Sequence, residues 1–127
     1  MKNLFYLFTL FLIFAITAQA ESRPATKSQI KLTREAMQDF LKDADSAKFK
    51  NVRLGIGENK NIICGEVNAK NGFGGYSGFF TFMAMYVGPE DYQDSASVKR
   101  KASVLIIGVD SQPKGPSEVM CAEKGIN

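Results

Sequence analysis

Histidine and tryptophan are both missing from this chain of 127 residues. Without an imidazole there is no Ser-His-Asp or Cys-His nucleophilic system and no histidine metal site. Cysteine is scarce: Cys64 and Cys121 are the only two, and neither has the histidine base that a catalytic thiol ordinarily uses. A large excess of one charge is also lacking, with 16 basic against 13 acidic side chains. Nucleic-acid binding calls for a clustered basic face. The one basic cluster, Lys99-Arg100-Lys101, reads as a solvated run ahead of a strand, so no nucleic-acid partner is expected. Repeats, low-complexity linkers and a second domain are absent as well.

Carboxylate pairs are the acid–base chemistry left over. Asp39, Asp43 and Asp45 form one group and Glu90, Asp91 and Asp94 another. Both lie in segments where acidic residues cap turns or face water. The stretch Asp43-Ala44-Asp45-Ser46 lacks the spaced oxygen ligands and the glutamate of an EF-hand loop. No catalytic residue, cofactor or metal is therefore expected.

Long apolar runs occur in one place. MKNLFYLFTLFLIFAITAQA has a lysine near its start, an apolar run and Ala18-Gln19-Ala20, the order of a secretory signal peptide with a small-x-small cleavage site. The expectation is cleavage after Ala20, no retained membrane anchor, and a single mature domain over 21–127 in the bacterial periplasm or secreted. Removing Lys2 leaves 15 basic and 13 acidic groups on that domain, a net charge of +2. In an oxidising compartment the even cysteine count favours a Cys64–Cys121 disulfide tying the C-terminal segment back to the middle of the domain.

Along the mature chain, residues 21–27 read as a flexible arm. Ala36, Met37, Phe40, Leu41 and Ala44 recur at helical spacing and predict an amphipathic helix N-capped by Thr33, or one extended back from Ser28. Ala47-Lys48-Phe49 reads as one more helical turn. The period then changes to two, predicting strands over 52–56, 61–68, 76–87 and 100–109. Residues 117–123 read as a short helix stopped by Gly125, or as a terminal strand. Together these predict an α+β fold, an N-terminal amphipathic helix packed on an antiparallel sheet of about four strands.

CGEVNAKNGFGGYSGFF, residues 64–80, holds five glycines. A phosphate loop would place its glycines between a strand and a helix N-terminus, followed by Lys-Ser or Lys-Thr. Here Lys70 precedes the glycines and an aromatic strand follows, which excludes nucleotide binding. Asn71-Gly72 favours the positive φ angles of a tight hairpin, Gly74-Gly75 permits a bulge or close approach, and Gly78 marks a place where a side chain would collide. The glycines thus shape a bulged hairpin, or Asn68, Lys70, Asn71, Phe73 and Tyr76 present a rim to a partner.

This segment and LKDADSAKF at 41–49 resemble a family of small exported bacterial proteins, mostly uncharacterised, sharing an L-K-D-P-x-S-A-x-F turn and a C-G-x-V-N-A-K-N-x-F-G-G-Y-x-G segment. Ala44 stands where that family usually has proline. The resemblance implies an exported single domain and carries no assigned activity. The reading is a non-enzymatic exported domain that binds a protein partner in the envelope or a second copy of itself, for instance an inhibitor or immunity-type protein. Its rivals are a small periplasmic enzyme using carboxylates with Lys70 and Tyr76, and a structural envelope component.

Overall fold

The computed structural model describes residues 21–91 and 101–126. The stretch expected as a signal peptide, Asp94, and Lys99 and Arg100 of the basic cluster lie outside the described residues. The fold is α+β. Five strands, β1 (Ser22–Pro24), β2 (Asp43–Gly55), β3 (Ile62–Lys70), β4 (Phe80–Val87) and β5 (Ser103–Val109), form one antiparallel sheet in sequential order. Helices α1 (Lys27–Ala36) and α2 (Pro116–Glu123) complete it. No helix among the described residues is long and apolar enough to cross a membrane.

Two expectations at the N-terminal end are corrected. The stretch expected as a flexible arm contains β1, an edge strand in register with β2 from Ser22 opposite Gly55 to Pro24 opposite Arg53. The guanidinium of Arg53 secures it, donating to Ser22 Oγ at 2.8 Å and to Ser22 O at 2.9 Å. Of the two starts expected for the helix, the extension back from Ser28 is within one residue of the observed start at Lys27, and the one capped by Thr33 is corrected. Thr26 is the N-cap: its hydroxyl accepts from Gln29 N at 3.2 Å, and Gln29 Oε1 accepts from Thr26 N at 2.9 Å. That reciprocal box needs Gln or Glu three residues after the cap. Thr26 has Gln29 there, whereas Thr33 has only Ala36. Thr33 instead lies buried inside the helix, its hydroxyl donating to Gln29 O at 2.8 Å.

Met37 closes α1 and opens a 3-10 turn, Met37–Asp39, after which the chain becomes β2. The expected helical turn at 47–49 is therefore strand. Asp43 and Ser46 do bond their own backbone, Ser46 N donating to Asp43 Oδ1 at 3.0 Å and Ser46 Oγ to Asp43 O at 2.8 Å. They do so within an irregularity of the strand, between the Asp43–Lys70 and Lys48–Asn68 pairings. A second irregularity between Lys50 and Arg53 is taken up by Asn51, at φ +52°. Each bulge adds unpaired residues and breaks the period of two, so the first half of β2 does not read as a strand.

Pleating sends alternate residues of β4 to opposite faces. Phe82 and Ala84 enter the main core with Val52, Leu54, Ile63, Val67 and Ile106, and α1, which lies against β2 and β5, contributes Ile30 and Ala36, with Met37 just beyond it. Met83 enters a smaller cluster on the other face with Cys64, Cys121 and Ile126 beneath α2. The C-terminal segment is thus a helix, joined to β3 by the Cys64–Cys121 disulfide at a sequence separation of 57.

Gly115 stands at the N-cap of α2 and has no side chain to cap with. Asp110, buried at the end of β5, takes over: its Oδ1 accepts from Ser117 N at 3.0 Å and its Oδ2 from Glu118 N at 2.9 Å. Asp110→Ala leaves those donors unpaired, and urea titration is expected to show a loss of about 1–2 kcal/mol.

Candidate functional site

The glycine-rich loop, 71–79, joins β3 to β4, and its shape is set by side chains at its base. Asn71 N donates to Gly75 O at 2.8 Å and Gly74 N to Asn71 O at 3.0 Å. The Asn71 carboxamide accepts from Phe73 N at 2.9 Å and Gly75 N at 3.2 Å, and donates to Ser77 Oγ at 3.3 Å. Asn68 Oδ1 accepts from Gly78 N at 3.2 Å.

The positive φ angles expected at Asn71-Gly72 occur instead at Gly74, φ +82°, and Gly78, φ +108°. A β-carbon at Gly78 would meet nothing within 4 Å, so the collision expected there is not its reason. Gly78 serves the backbone angle, which an L side chain rarely adopts. That angle also ends the ladder early, and β4 begins at Phe80 instead of residue 76. Tyr76 keeps one isolated bridge to Lys70.

The five expected rim residues therefore divide. Asn68 and Asn71 spend their polar atoms holding the loop. Lys70 and Tyr76 lie side by side at its root, where Lys70 N donates to Ser46 Oγ at 2.9 Å and the Tyr76 hydroxyl to Ser46 O at 3.1 Å. Phe73 is 100 % exposed at the tip.

Two lysines that the sequence reading missed complete the surface. Lys48 Nζ lies 4.3 Å from the Tyr76 ring centroid, Lys50 Nζ 4.5 Å from that of Phe79, and Lys70 Nζ 6.0 Å from Tyr76. These distances are within cation–π range. Lys48-Phe49-Lys50 is strand alternation, with both lysines on one face and Phe49 packed against the core on the other. Reading the segment as a helical turn hid that signal. Glu66 bounds the basic row, with its carboxylate 3.3 Å from Lys50 Nζ and 2.8 Å from Asn51 Nδ2.

Two open grooves flank the loop. One of about 410 Å³ lies between Phe40, Leu41 and Lys42 on one side and Lys70, Asn71 and Gly78 on the other. The second, of about 340 Å³, runs from Phe79 and Glu66 to Glu118 and Cys121 of α2.

The acidic groups do not gather around Lys70 and Tyr76. Asp43 sits opposite Lys70 in the ladder, but its carboxylate accepts from Ser46 N. Asp91 lies elsewhere and locks a turn. Its carboxyl is held below the usual carboxylate range because Asn61 Nδ2 donates to it at 3.0 Å and Gly88 N at 2.8 Å. Among the described residues there is no cluster of three or more Cys, Asp or Glu able to hold a metal ion. The loop surface offers an exposed aromatic tip, two half-exposed rings and three ammonium groups, chemistry suited to binding. Comparison of the chain with protein-family models, curated proteins and solved structures finds no match in any of the three.

Proposed function

We propose that this is an exported, non-enzymatic binding domain whose contact surface is the 71–79 loop with Lys48, Lys50 and Lys70, and whose partner is a protein, an envelope enzyme that it inhibits or neutralises being the concrete version. The observation that carries the reading is Phe73. A phenylalanine left wholly in water contributes nothing to folding, yet its loop is held by at least five hydrogen bonds, from Asn71 and Asn68 among others. An ordered loop costs conformational entropy, and a pre-shaped aromatic tip recovers that cost on binding, where buried aromatics dominate the energy of protein interfaces. Lysines stacked on Tyr76 and Phe79 favour a partner with acidic groups around an apolar pocket. Export, and membership of the family sharing the C-G-x-V-N-A-K-N segment, rest on the signal-like N-terminus and that segment, and the disulfide agrees with an oxidising destination.

The test places a photo-crosslinking phenylalanine analogue at position 73 and, as a control, at exposed Lys31 on α1, in mature protein exposed to envelope extract. A discrete adduct at 73, absent at 31 and lost on Lys48→Ala/Tyr76→Ala, is expected. No adduct at 73, or the same adduct from both positions, rejects the reading. Phe73→Ser is expected to leave stability within about 0.5 kcal/mol, as for surface substitutions generally, so its effect on the adduct reports binding and not folding.

A further inference from the structure

Asparagine is followed by glycine once in this chain, at Asn71-Gly72. After Asn51, Asn59, Asn61 and Asn68 stand valine, lysine, isoleucine and alanine, whose side chains crowd their own main-chain nitrogens. The fold does not require glycine at 72: its φ is not positive, and a β-carbon there would meet nothing within 4 Å. Among the described residues its N–H donates to no partner.

The Asn71 carboxamide is set around that nitrogen. Its Oδ1 accepts from Phe73 N at 2.9 Å, which closes a ring containing Gly72 N and turns the side-chain carbonyl toward it. A second N–H, from Gly75 at 3.2 Å, falls on the same oxygen. Two main-chain donors converging on one carbonyl oxygen form the arrangement that holds negative charge when such a carbonyl is attacked. On the other side Nδ2 donates to Ser77 Oγ at 3.3 Å, so a hydroxyl lies beside the nitrogen that would leave. Asn71 and Ser77 line the open groove of about 410 Å³ together with Lys42 and Lys70, so water reaches the amide and two ammonium groups favour negative charge there.

We infer that Asn71 is a self-modification site, at which the loop promotes its own conversion from asparagine to aspartate and isoaspartate. Gly72 N gives its proton to solvent and bonds to Asn71 Cγ, and the charge that forms on Oδ1 is held by Phe73 N and Gly75 N. As that charge collapses, the bond from Cγ to Nδ2 breaks, Ser77 Oγ passes its proton to Nδ2 and regains one from solvent, and ammonia leaves a succinimide ring. Water then opens the ring. Attack at Cγ gives aspartate, and attack at the main-chain carbonyl gives isoaspartate, so the sum is water consumed and ammonia released with no change of oxidation state. Either product adds a negative charge next to Lys70. Isoaspartate also lengthens the main chain inside the turn that Asn71 N closes on Gly75 O and Gly74 N on Asn71 O. The contact surface proposed above thus changes in one direction with time, but the chemistry does not rest on that reading.

The test incubates oxidised, folded mature protein in warm neutral buffer and scores each asparagine by peptide mass spectrometry and isoaspartate-specific methylation. Conversion at 71 is expected to outrun that at Asn59 and Asn68. It is expected to run about tenfold faster in the folded protein than in the guanidinium-unfolded chain, less than such donors give in a closed active site. Gly72→Ala, which the backbone accommodates, is expected to suppress conversion, and Ser77→Ala to slow it severalfold at an unchanged melting temperature. Should the serine variant disturb the loop, the folded-against-unfolded comparison of the wild type still decides. A folded wild type that converts no faster than the unfolded chain, a rate untouched by Gly72→Ala, or a folded Ser77→Ala protein that reacts at the wild-type rate overturns the proposal.

Discussion

Reducing the Cys64–Cys121 bond, or replacing both cysteines with alanine, is expected to lower the unfolding free energy by about 4 kcal/mol, the loop-closure value for a bridge of this span. The span comes from the sequence separation of 57. The bridge also does local work. α2 has eight residues, too few to persist as a helix unaided. Apart from the bridge it is held by the small cluster of Met83 and Ile126 and by the Asp110 cap. Once α2 is released, Met83 and Ile62 face water, and the loss includes their burial. For a domain of this size 4 kcal/mol corresponds to a fall in melting temperature on the order of 15 °C or more. Melting with and without reductant measures it. A shift of only a few degrees would mean that packing alone holds α2 on the sheet.

Phe82→Ala is the second large effect, with an expected loss of about 3–5 kcal/mol, out of a total that for most domains is about 5–15 kcal/mol. Phe82 is 0 % exposed, and its ring meets that of Phe49 edge-on at a centroid distance of 5.8 Å. The neighbouring strand is shaped to receive it. A β-carbon at Gly65 would lie 2.9 Å from Phe82 Cε1 and 3.0 Å from Val52 Cα, so glycine at that position makes room for the ring. This contact gives a second readout. Gly65→Ala is expected to be costly in the wild-type background and less so beside Phe82→Ala, since removing the ring leaves only the Val52 contact. Denaturant titration of the four proteins in that cycle measures the coupling. Equal cost in both backgrounds would assign the strain at Gly65 to the β2 backbone and not to the ring.

Legibility followed the range of the signal. β3 pairs with β4 without a register break and β5 has a single irregularity, opposite Met83 and Ala84, so both are readable in outline. Of β2 only the second half is, within the strand expected over 52–56, because the irregularities after Asp43 and Lys50 shift the alternation of the first half. The start from Thr33 is displaced because apolar spacing past it continues into a turn and a strand, while the decisive box of Thr26 and Gln29 lies at least about two turns before the apolar pattern that begins at Ala36. At the loop, glycine and asparagine content predicted unusual backbone angles, and these exist, at Gly74 and Gly78 instead of Asn71-Gly72. Asn68, Lys70, Asn71, Phe73 and Tyr76 are all legible in the sequence, but as a single rim. Their division into loop supports and presented groups depends on which carboxamides find backbone donors, and that needs coordinates.

The α+β class and the disulfide pairing were determined by the amino-acid sequence by itself. The class follows from local periodicity, and with two cysteines a single intrachain pairing is available. Only the tertiary structure decided that β1 extends the sheet, that Asp110 caps a helix it does not belong to, and that Lys48 and Lys50 meet Tyr76 and Phe79. Each of these contacts joins residues whose neighbours along the chain say nothing about the encounter. Strand register and burial bring them together, and those are set by the balance of the whole sheet against its two covering helices.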